Sequence, residues 1–289
     1  MKSIILTFLA SAMISFTMRA QSSDPVLARV RYTYINQTDT LRTGKTRTEN
    51  MLLFLGKNRS LYTSYDKIKF ELSEDQKSQA RAMTSSISGG APKVVKIDRS
   101  SGDWLTKTNY TFLNNEKKLI IKEEILGMAY LIEEKVPDIK WKITKDTLSF
   151  SGLACQKATA DFEGKQWTAW FAPSLPFQNG PWLLHGLPGI IVEAYDQDKR
   201  IHFEFAGFEM AKEGDFVRAN DIRKRAGASA GDISPIDVTM GIDVSSAYFD
   251  NSIRFSTYRT SKTTRKAFEN LKEAHKKDPA GFSRTQWGF

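Results

Sequence analysis

Polar and apolar residues alternate along much of the first two thirds of this 289-residue chain. Within residues 26–35, Val30, Tyr32 and Tyr34 fall on one face of an extended segment, and Arg31 falls on the other. Because successive side chains of a strand point to opposite sides, this two-residue period predicts a β-strand with one buried face. We expect the face that carries Val30 and the tyrosines to be the buried one.

Short runs of the same kind follow, and turn-forming residues separate them. Met51 to Leu55 and Ser60 to Ser64 flank Gly56-Lys57-Asn58, which predicts a β-hairpin. Further strands are predicted at residues 93–98, 106–112, 118–124, 130–134, 140–143, 147–150, 155–162, 166–171, 190–195 and 202–208. Closely spaced turns between short strands favour an antiparallel sheet over alternating βαβ units.

Two segments have the composition or period of helices. Phe70 to Met83 is charged and rich in good helix formers. Thr263 to Lys277 carries an apolar stripe at helical spacing, formed by Ala267, Phe268, Leu271 and Ala274. We therefore predict an α+β fold that is predominantly antiparallel β, with a curved sheet, a flanking helix and a C-terminal helix.

The N-terminus has the pattern of an export signal. Lys2 is followed by the apolar run Ile4 to Phe16, and Met18-Arg19-Ala20 is a plausible cleavage site. The apolar run is shorter than the ~20 residues that a membrane-spanning helix needs. We expect residues 1–20 to be removed on export. Residues 21–289 then form one soluble domain with a helical appendix from about residue 212.

Charge and cysteine content narrow the classes of partner. The formal net charge of +9 permits peripheral contact with an anionic membrane surface. The chain has no nucleic-acid-binding motif, and export also argues against a nucleic-acid partner. Cys155 is the only cysteine, so no internal disulfide can form and the fold has to rely on its hydrophobic core.

The segment Gly186-Leu-Pro-Gly-Ile-Ile191 joins a Pro-Gly turn to a β-branched apolar run. It resembles the signature hexapeptide of the GLPGLI family, with Ile190 in place of the family's leucine. Residues 152–158, 162–164 and 167–171 also fit that family's ordered motifs. The resemblance implies an exported protein in the periplasm or outer envelope of a Gram-negative bacterium, and it implies no particular reaction.

Aromatic residues near this segment are the best candidates for ligand binding. Trp167 and Phe171 share one strand face and Trp170 lies on the other, so one of the two sets can line a pocket. We assign Trp170, Trp182 and His185 as ligand-binding residues. The function favoured is a non-catalytic binding or interaction module for an apolar or polymeric ligand, such as a lipid or glycan, or for an outer-membrane partner. Close packing of all these aromatics under a helix is the alternative.

A hydrolase is a second hypothesis. Cys155 and His185 would act as nucleophile and base, and Asp161 or Asp196 would orient the histidine. Cys155 follows Leu153-Ala154 in a predicted strand and lacks the helix N-terminus that lowers a thiol pKa. No catalytic residue is therefore assigned.

A metal-binding envelope protein is a third hypothesis. His185 and His202 could approach each other in space together with Glu193 or Glu204, and His202 and Glu204 share a strand face. The three histidines of the chain do not have the spacing of a known metal motif. No metal or other cofactor is therefore assigned.

Overall fold

The computed structural model describes residues 26–38, 46–70, 106–125, 128–211 and 260–278. These residues contain twelve strands: β1 (Val26–Asn36), β2 (Arg47–Gly56), β3 (Arg59–Ser64), β4 (Asn109–Leu113), β5 (Lys118–Ile125), β6 (Met128–Lys135), β7 (Lys142–Phe150), β8 (Leu153–Phe162), β9 (Lys165–Ala172), β10 (Ile190–Asp196), β11 (Ile201–Met210) and β12 (Thr260–Thr263). Helix α1 covers 65–70, a 3₁₀ turn covers Asn114–Glu116, and helix α2 covers Arg265–Lys277.

All twelve strands belong to one sheet, in the order β12-β6-β5-β4-β3-β2-β1-β11-β10-β9-β8-β7. The chain builds β1 to β6 outward in one direction, crosses to the opposite edge, and returns through β7 to β11 until β11 pairs with β1. Neighbouring strands are antiparallel except β12, which is parallel to β6 and makes the sheet mixed. None of the described helices is long and apolar enough to cross a bilayer.

The prediction of an α+β fold with flanking helices is wrong. Of the described residues, 60% lie in strands and 14% in helices, so the fold is essentially all-β. The helical pattern at residues 265–277 is real, but a single helix with one fully buried side chain, Phe268, does not form a helical layer. Of the expected helix at 70–83, only Phe70 is described, and it belongs to α1. The rest of that helix, the strand at 93–98 and most of the C-terminal appendix from about 212 lie outside the described residues.

The two-residue period located most of the strands correctly. Val30 and Tyr32 are fully buried on the face of β1 that was expected to be buried, and the predicted hairpin is β2–β3. Two strands were predicted, at residues 140–143 and 147–150, but residues 142–150 form the single strand β7. Its pairing with β8 shifts between Ile143 and Thr147, so the expected turn is a bulge.

The connection between β6 and β7 requires the sheet to curl. Ten strand-to-strand steps separate these two strands in the sheet, which would be about 48 Å in a flat sheet at ~4.8 Å per step. Residues 136–141 have to cover that separation, and a fully extended chain from Lys135 to Lys142 reaches only about 25 Å. The sheet is therefore strongly curved, with a concave interior.

Residues 173–189, between β9 and β10, fill part of this interior; we call them the crossing loop. Leu184 and Leu187 of the loop are buried in the main core, and Leu183 packs on the cluster formed by β4, β5, β6 and α2. The loop thus contacts strands that are distant in the sheet order. Its apolar side chains fill a space that the curvature creates.

The Pro188-Gly189 turn predicted from the sequence closes the crossing loop. Gly189 donates its backbone N–H to the Leu187 carbonyl at 2.8 Å, and its φ is +156°. A Cβ at position 189 would lie 2.3 Å from the Ala172 carbonyl oxygen, so only glycine fits beside the end of β9. Gly186 also has a positive φ, +90°, but a Cβ there would meet nothing within 4 Å.

We predict that Gly189→Ala lowers the free energy of unfolding by about 3 kcal/mol or more, because the new methyl group overlaps backbone atoms that cannot move independently. Gly186→Ala is the matched control and should cost only about 1 kcal/mol, the usual penalty for a positive φ in a residue with a Cβ. Urea denaturation of both variants measures the difference. Equal decreases in the free energy of unfolding for the two variants would show that close packing at Ala172 does not constrain the turn.

Candidate functional site

The crossing loop leaves a cavity of about 260 Å³ on the concave side of the sheet, near the end where β4, β9 and β11 begin. We call it the aromatic cavity, because six of its lining residues are aromatic: Tyr34, Tyr62, Tyr110, Trp167, Trp182 and Phe203. Met51 and Ile201 add apolar surface, and Thr106 and Thr108 add hydroxyl groups. An apolar concavity with a few polar groups is the usual form of a small-molecule site.

The aromatic rings hold one another in place. The Phe203 ring stacks on Tyr34 and Trp167 with centroid distances of 5.2 and 6.1 Å, and Tyr62 meets Phe203 edge-on at 6.3 Å. Such pairs stabilise a fixed arrangement by about 0.5–1.5 kcal/mol each beyond the area that they bury. The walls of the cavity are therefore largely preformed.

Tyr62 contributes a buried polar group to the wall of the aromatic cavity. It is only 3% exposed, and its hydroxyl has no hydrogen-bond partner among the described residues. Burial raises its pKa well above 10, so the hydroxyl keeps its proton and can act as a donor. A buried hydroxyl without a partner costs about 1–3 kcal/mol, and a bound ligand with a polar atom can recover that cost.

The other two cavity tyrosines do have partners. Asn36 donates a hydrogen bond to the Tyr34 hydroxyl at 2.8 Å. Burial raises the pKa of Tyr110 to about 12, and a hydrogen bond with Trp182 partly opposes this shift. Tyr62 is therefore the cavity tyrosine whose hydroxyl is left for a ligand.

Trp182 closes the cavity from the side of the crossing loop. Leu184 donates its N–H to the Pro181 carbonyl at 3.0 Å, and this turn places Trp182 in the left-handed region at φ +56°. Its ring lies 5.7 Å from the rings of both Phe162 and Trp167. Ring packing thus offsets an unfavourable backbone conformation, which costs about 1–2 kcal/mol for a residue with a Cβ.

A buried carboxylate anchors the threonine side of the cavity. Glu49 is fully buried, and its carboxylate accepts hydrogen bonds from the Thr106 N–H at 2.8 Å and the Thr106 hydroxyl at 2.7 Å. Arg47 donates to the same carboxylate at 2.6 Å and neutralises its charge. Glu49 therefore positions Thr106 and does not itself line the cavity.

The structure does not bring the three predicted ligand-binding residues together. Trp182 lines the aromatic cavity. Trp170 is half-buried on the opposite face of β9 from Trp167, where its ring lies 6.0 Å from Phe150. His185 lies on the other side of the crossing loop and lines a second cavity.

His185 ties the crossing loop to the segment that joins β6 and β7. Its Nε2 donates to the Pro137 carbonyl at 2.7 Å, and its own carbonyl accepts from Trp141 Nε1 at 2.7 Å. Burial lowers the pKa of His185, so the ring is neutral near pH 7. Nε2 carries the proton in this arrangement, because a carbonyl oxygen can only accept.

The hydrolase hypothesis finds no assembled site. Cys155 is 2% exposed, and its thiol donates to the Leu153 carbonyl at 3.4 Å. Burial, together with the Glu193 carboxylate, raises the pKa of the thiol to about 11, the opposite of what a nucleophile needs. His185 donates its Nε2–H to the Pro137 carbonyl, so this nitrogen is not free to take a proton from the thiol.

The metal hypothesis finds no convergent donors. His202 Nε2 lies 3.2 Å from Glu193 and His202 Nδ1 lies 3.4 Å from Glu204, so the carboxylates flank opposite sides of the ring. Across the described ranges, no group of three or more His, Cys, Asp or Glu side chains is arranged to hold a metal ion. The two histidines of the hypothesis lie in different parts of the fold.

The sequence analysis did not identify the three tyrosines that line the aromatic cavity. Tyr34 was expected only to be buried, and Tyr62 and Tyr110 were seen only as members of strands. They come from β1, β3 and β4, and they meet because the sheet curls around them. Tyr62 belongs to the main core and Tyr34 and Tyr110 pack against it, and no local sequence signal shows that the three meet.

Comparisons with known proteins give only a distant likeness. No protein-family model matches the chain, and no curated protein sequence matches it. The solved structures of PNGF-II in the P21 and C2 space groups resemble 85% and 84% of this chain, with TM-scores of 0.48 and 0.46 and 10% sequence identity. The chain aligns with 32% of the length of PNGF-II. Similarity at this level assigns no function.

Two buried tyrosines should respond oppositely to loss of their hydroxyls. The Tyr32 hydroxyl donates to the Ile191 carbonyl at 2.6 Å, so we predict that Tyr32→Phe lowers the free energy of unfolding by about 1–2 kcal/mol. Tyr62→Phe should leave it unchanged or raise it by up to about 1 kcal/mol, because an unpaired buried hydroxyl is removed. Urea denaturation of the two variants measures these changes in the free energy of unfolding. A clear loss of stability in Tyr62→Phe would mean that its hydroxyl is already paired.

Cys155 should react slowly with thiol reagents in the folded protein. With a thiol pKa of about 11, fewer than about one thiol in a thousand is ionised at pH 7.5. We expect labelling by 5,5′-dithiobis(2-nitrobenzoate) to take hours in buffer and seconds in 8 M urea. Labelling in buffer as fast as in urea would restore the nucleophile hypothesis.

Proposed function

We propose that this chain is an exported envelope protein of the GLPGLI type that binds a small, mainly apolar molecule in the aromatic cavity without transforming it. The N-terminal pattern of residues 1–20 and the Gly186–Ile191 segment support the first part of the proposal. The single observation that carries the second part is the Tyr62 hydroxyl, which is buried, unpaired among the described residues and part of the cavity wall.

The cavity limits the chemistry of its ligand. Its volume of about 260 Å³ lies just below the ~300–1,000 Å³ of typical ligand pockets, so it suits a small molecule or one end of a longer one. Its aromatic walls favour a ring or an alkyl segment. Since the Tyr62 hydroxyl can both donate and accept, the ligand should carry one polar atom, such as a hydroxyl or carbonyl oxygen.

The chemistry of the same walls supports a non-catalytic role. The cavity-lining side chains are aromatic, aliphatic or hydroxyl-bearing. The pKa of Tyr62 and that of Tyr110 are both raised, so neither tyrosine serves as a base near neutral pH. The carboxylate that contacts the cavity-lining residue Thr106 is that of Glu49, and it is committed to Thr106 and Arg47.

Two matched probes test the proposal. 2-Naphthol and naphthalene have the same ring system and differ by one hydroxyl group. By equilibrium dialysis, we expect 2-naphthol to bind about fivefold more tightly, the effect of one net hydrogen bond of ~1 kcal/mol. In Tyr62→Phe the two affinities should become equal, because the partner of the hydroxyl is gone.

Two tryptophan variants locate the binding site. Trp182→Ala should weaken both probes at least tenfold, because it removes one wall of the aromatic cavity. Trp170→Ala, an equal truncation on the other face of β9, should leave both affinities within twofold. Equal probe affinities in the native protein, or equal losses in the two tryptophan variants, would exclude the aromatic cavity as the site.

A further inference from the structure

A second and larger cavity lies on the other side of the crossing loop, at the end of the sheet where β2, β4 and β6 end. Its volume is about 700 Å³, well within the usual range for ligand pockets. The turns after β2 and β4 and the segment after β6 form one side, and crossing-loop residues 176–179, 185 and 186 form the other. We call it the lysine cavity, after Lys57 and Lys117 on its wall.

The lysine cavity combines apolar and hydrogen-bonding surface. Phe112, Val136 and Phe177 supply apolar wall, and the side chains of Asn114 and Gln178 supply amide groups. A ligand that fills this space therefore gains from both an apolar body and polar substituents. The aromatic cavity differs, because its lining carries hydroxyl and indole N–H groups and includes no amide or charged side chain.

The charge of the lysine cavity is positive. Lys57 and Lys117 are both exposed at turns, and neither forms an ion pair with any residue in the described part of the chain. The acidic residue of the wall, Asp138, lies 2.5 Å from Lys140 and is paired with it. The two ammonium groups are therefore left to attract an anion.

His185 adds polarity without charge. Its ring forms part of the wall, and Nε2 is held by the Pro137 carbonyl at 2.7 Å. The positive charge of the cavity thus comes from the lysines.

We propose that the lysine cavity binds an amphipathic organic anion, meaning an apolar ring or chain that carries a carboxylate, sulfonate or phosphate group. The anionic group lies against Lys57 and Lys117, and the apolar part lies against Phe112, Phe177 and Val136. This site is distinct from the aromatic cavity, and the crossing loop separates the two. The proposal therefore does not depend on what binds beside Tyr62.

8-Anilinonaphthalene-1-sulfonate is a suitable probe, because it is an amphipathic anion that fluoresces when bound at an apolar site. N-phenyl-1-naphthylamine has the same aromatic framework without the sulfonate. In Lys57→Gln/Lys117→Gln we expect the dissociation constant of the anionic probe to rise at least fivefold and that of the neutral probe to change less than twofold. Added salt should weaken the anionic probe more in the native protein than in this variant.

Lys145→Gln/Lys276→Gln is the matched control, since it removes the same net charge from two exposed lysines outside the cavity. It should bind both probes as the native protein does. Tyr62→Phe, which changes the aromatic cavity without altering the crossing loop, should also leave the anionic probe unaffected, and this separates the two sites. Thermal unfolding should be the same for the two lysine double variants and the native protein to within the small effects of surface charge.

The proposal is overturned if Lys57→Gln/Lys117→Gln binds the anionic probe as tightly as the native protein, or if the control double variant weakens it equally. A loss confined to Tyr62→Phe would also overturn it, because the anion would then occupy the aromatic cavity. That last result would leave the proposed function standing, so the two proposals fail separately.

Discussion

The shortness of the chain between β6 and β7 determines the shape of this fold. Those six residues join strands that are ten positions apart in the sheet, so the sheet has no flat alternative. Curling brings the inner faces of β1 to β6 toward the inner faces of β8 to β11. The concave interior is thus a consequence of connectivity, and the apolar side chains on those inner faces then stabilise it by burial.

The curled sheet needs something to fill its interior, and the crossing loop does so. It is irregular in backbone, so its polar groups need partners, and it finds them within itself and on its neighbours. Ile191 donates to the Asn179 carbonyl at 3.0 Å, and Gly186 donates to the Gln178 carbonyl at 2.8 Å. The loop does not fill the space completely. One cavity remains on each side of it, an apolar one beside Trp182 and a basic one beside His185.

The sequence predicted the strands well and the site poorly, for different physical reasons. Strand pattern is a local property, and alternation around Val30 or across the β2–β3 hairpin is visible in ten residues. A cavity is a long-range property, and Tyr34, Tyr62 and Tyr110 meet only through the curvature of the sheet. The alternation of side chains along a strand correctly predicted that Trp167 and Trp170 lie on opposite faces of β9. Alternation does not indicate which of the two faces has a cavity. The predicted fold class was wrong because the apolar spacing at residues 265–277 predicts that a helix forms, but it does not indicate how much of the hydrophobic core that helix supplies.

The conformation of the crossing loop explains why unfavourable features concentrate there. Trp182 has a left-handed backbone, Gly189 leaves no room for a Cβ beside Ala172, and a Cβ at Gly180 would lie 2.7 Å from the Leu184 carbonyl oxygen. Each of these features restricts the backbone conformation or leaves no space for a larger side chain. Each therefore holds the crossing loop in one position. Since Trp182 and His185 are three residues apart and face different cavities, that one position shapes both. A loop with more freedom would lose both walls together, so its rigidity is the property that binding on either side requires.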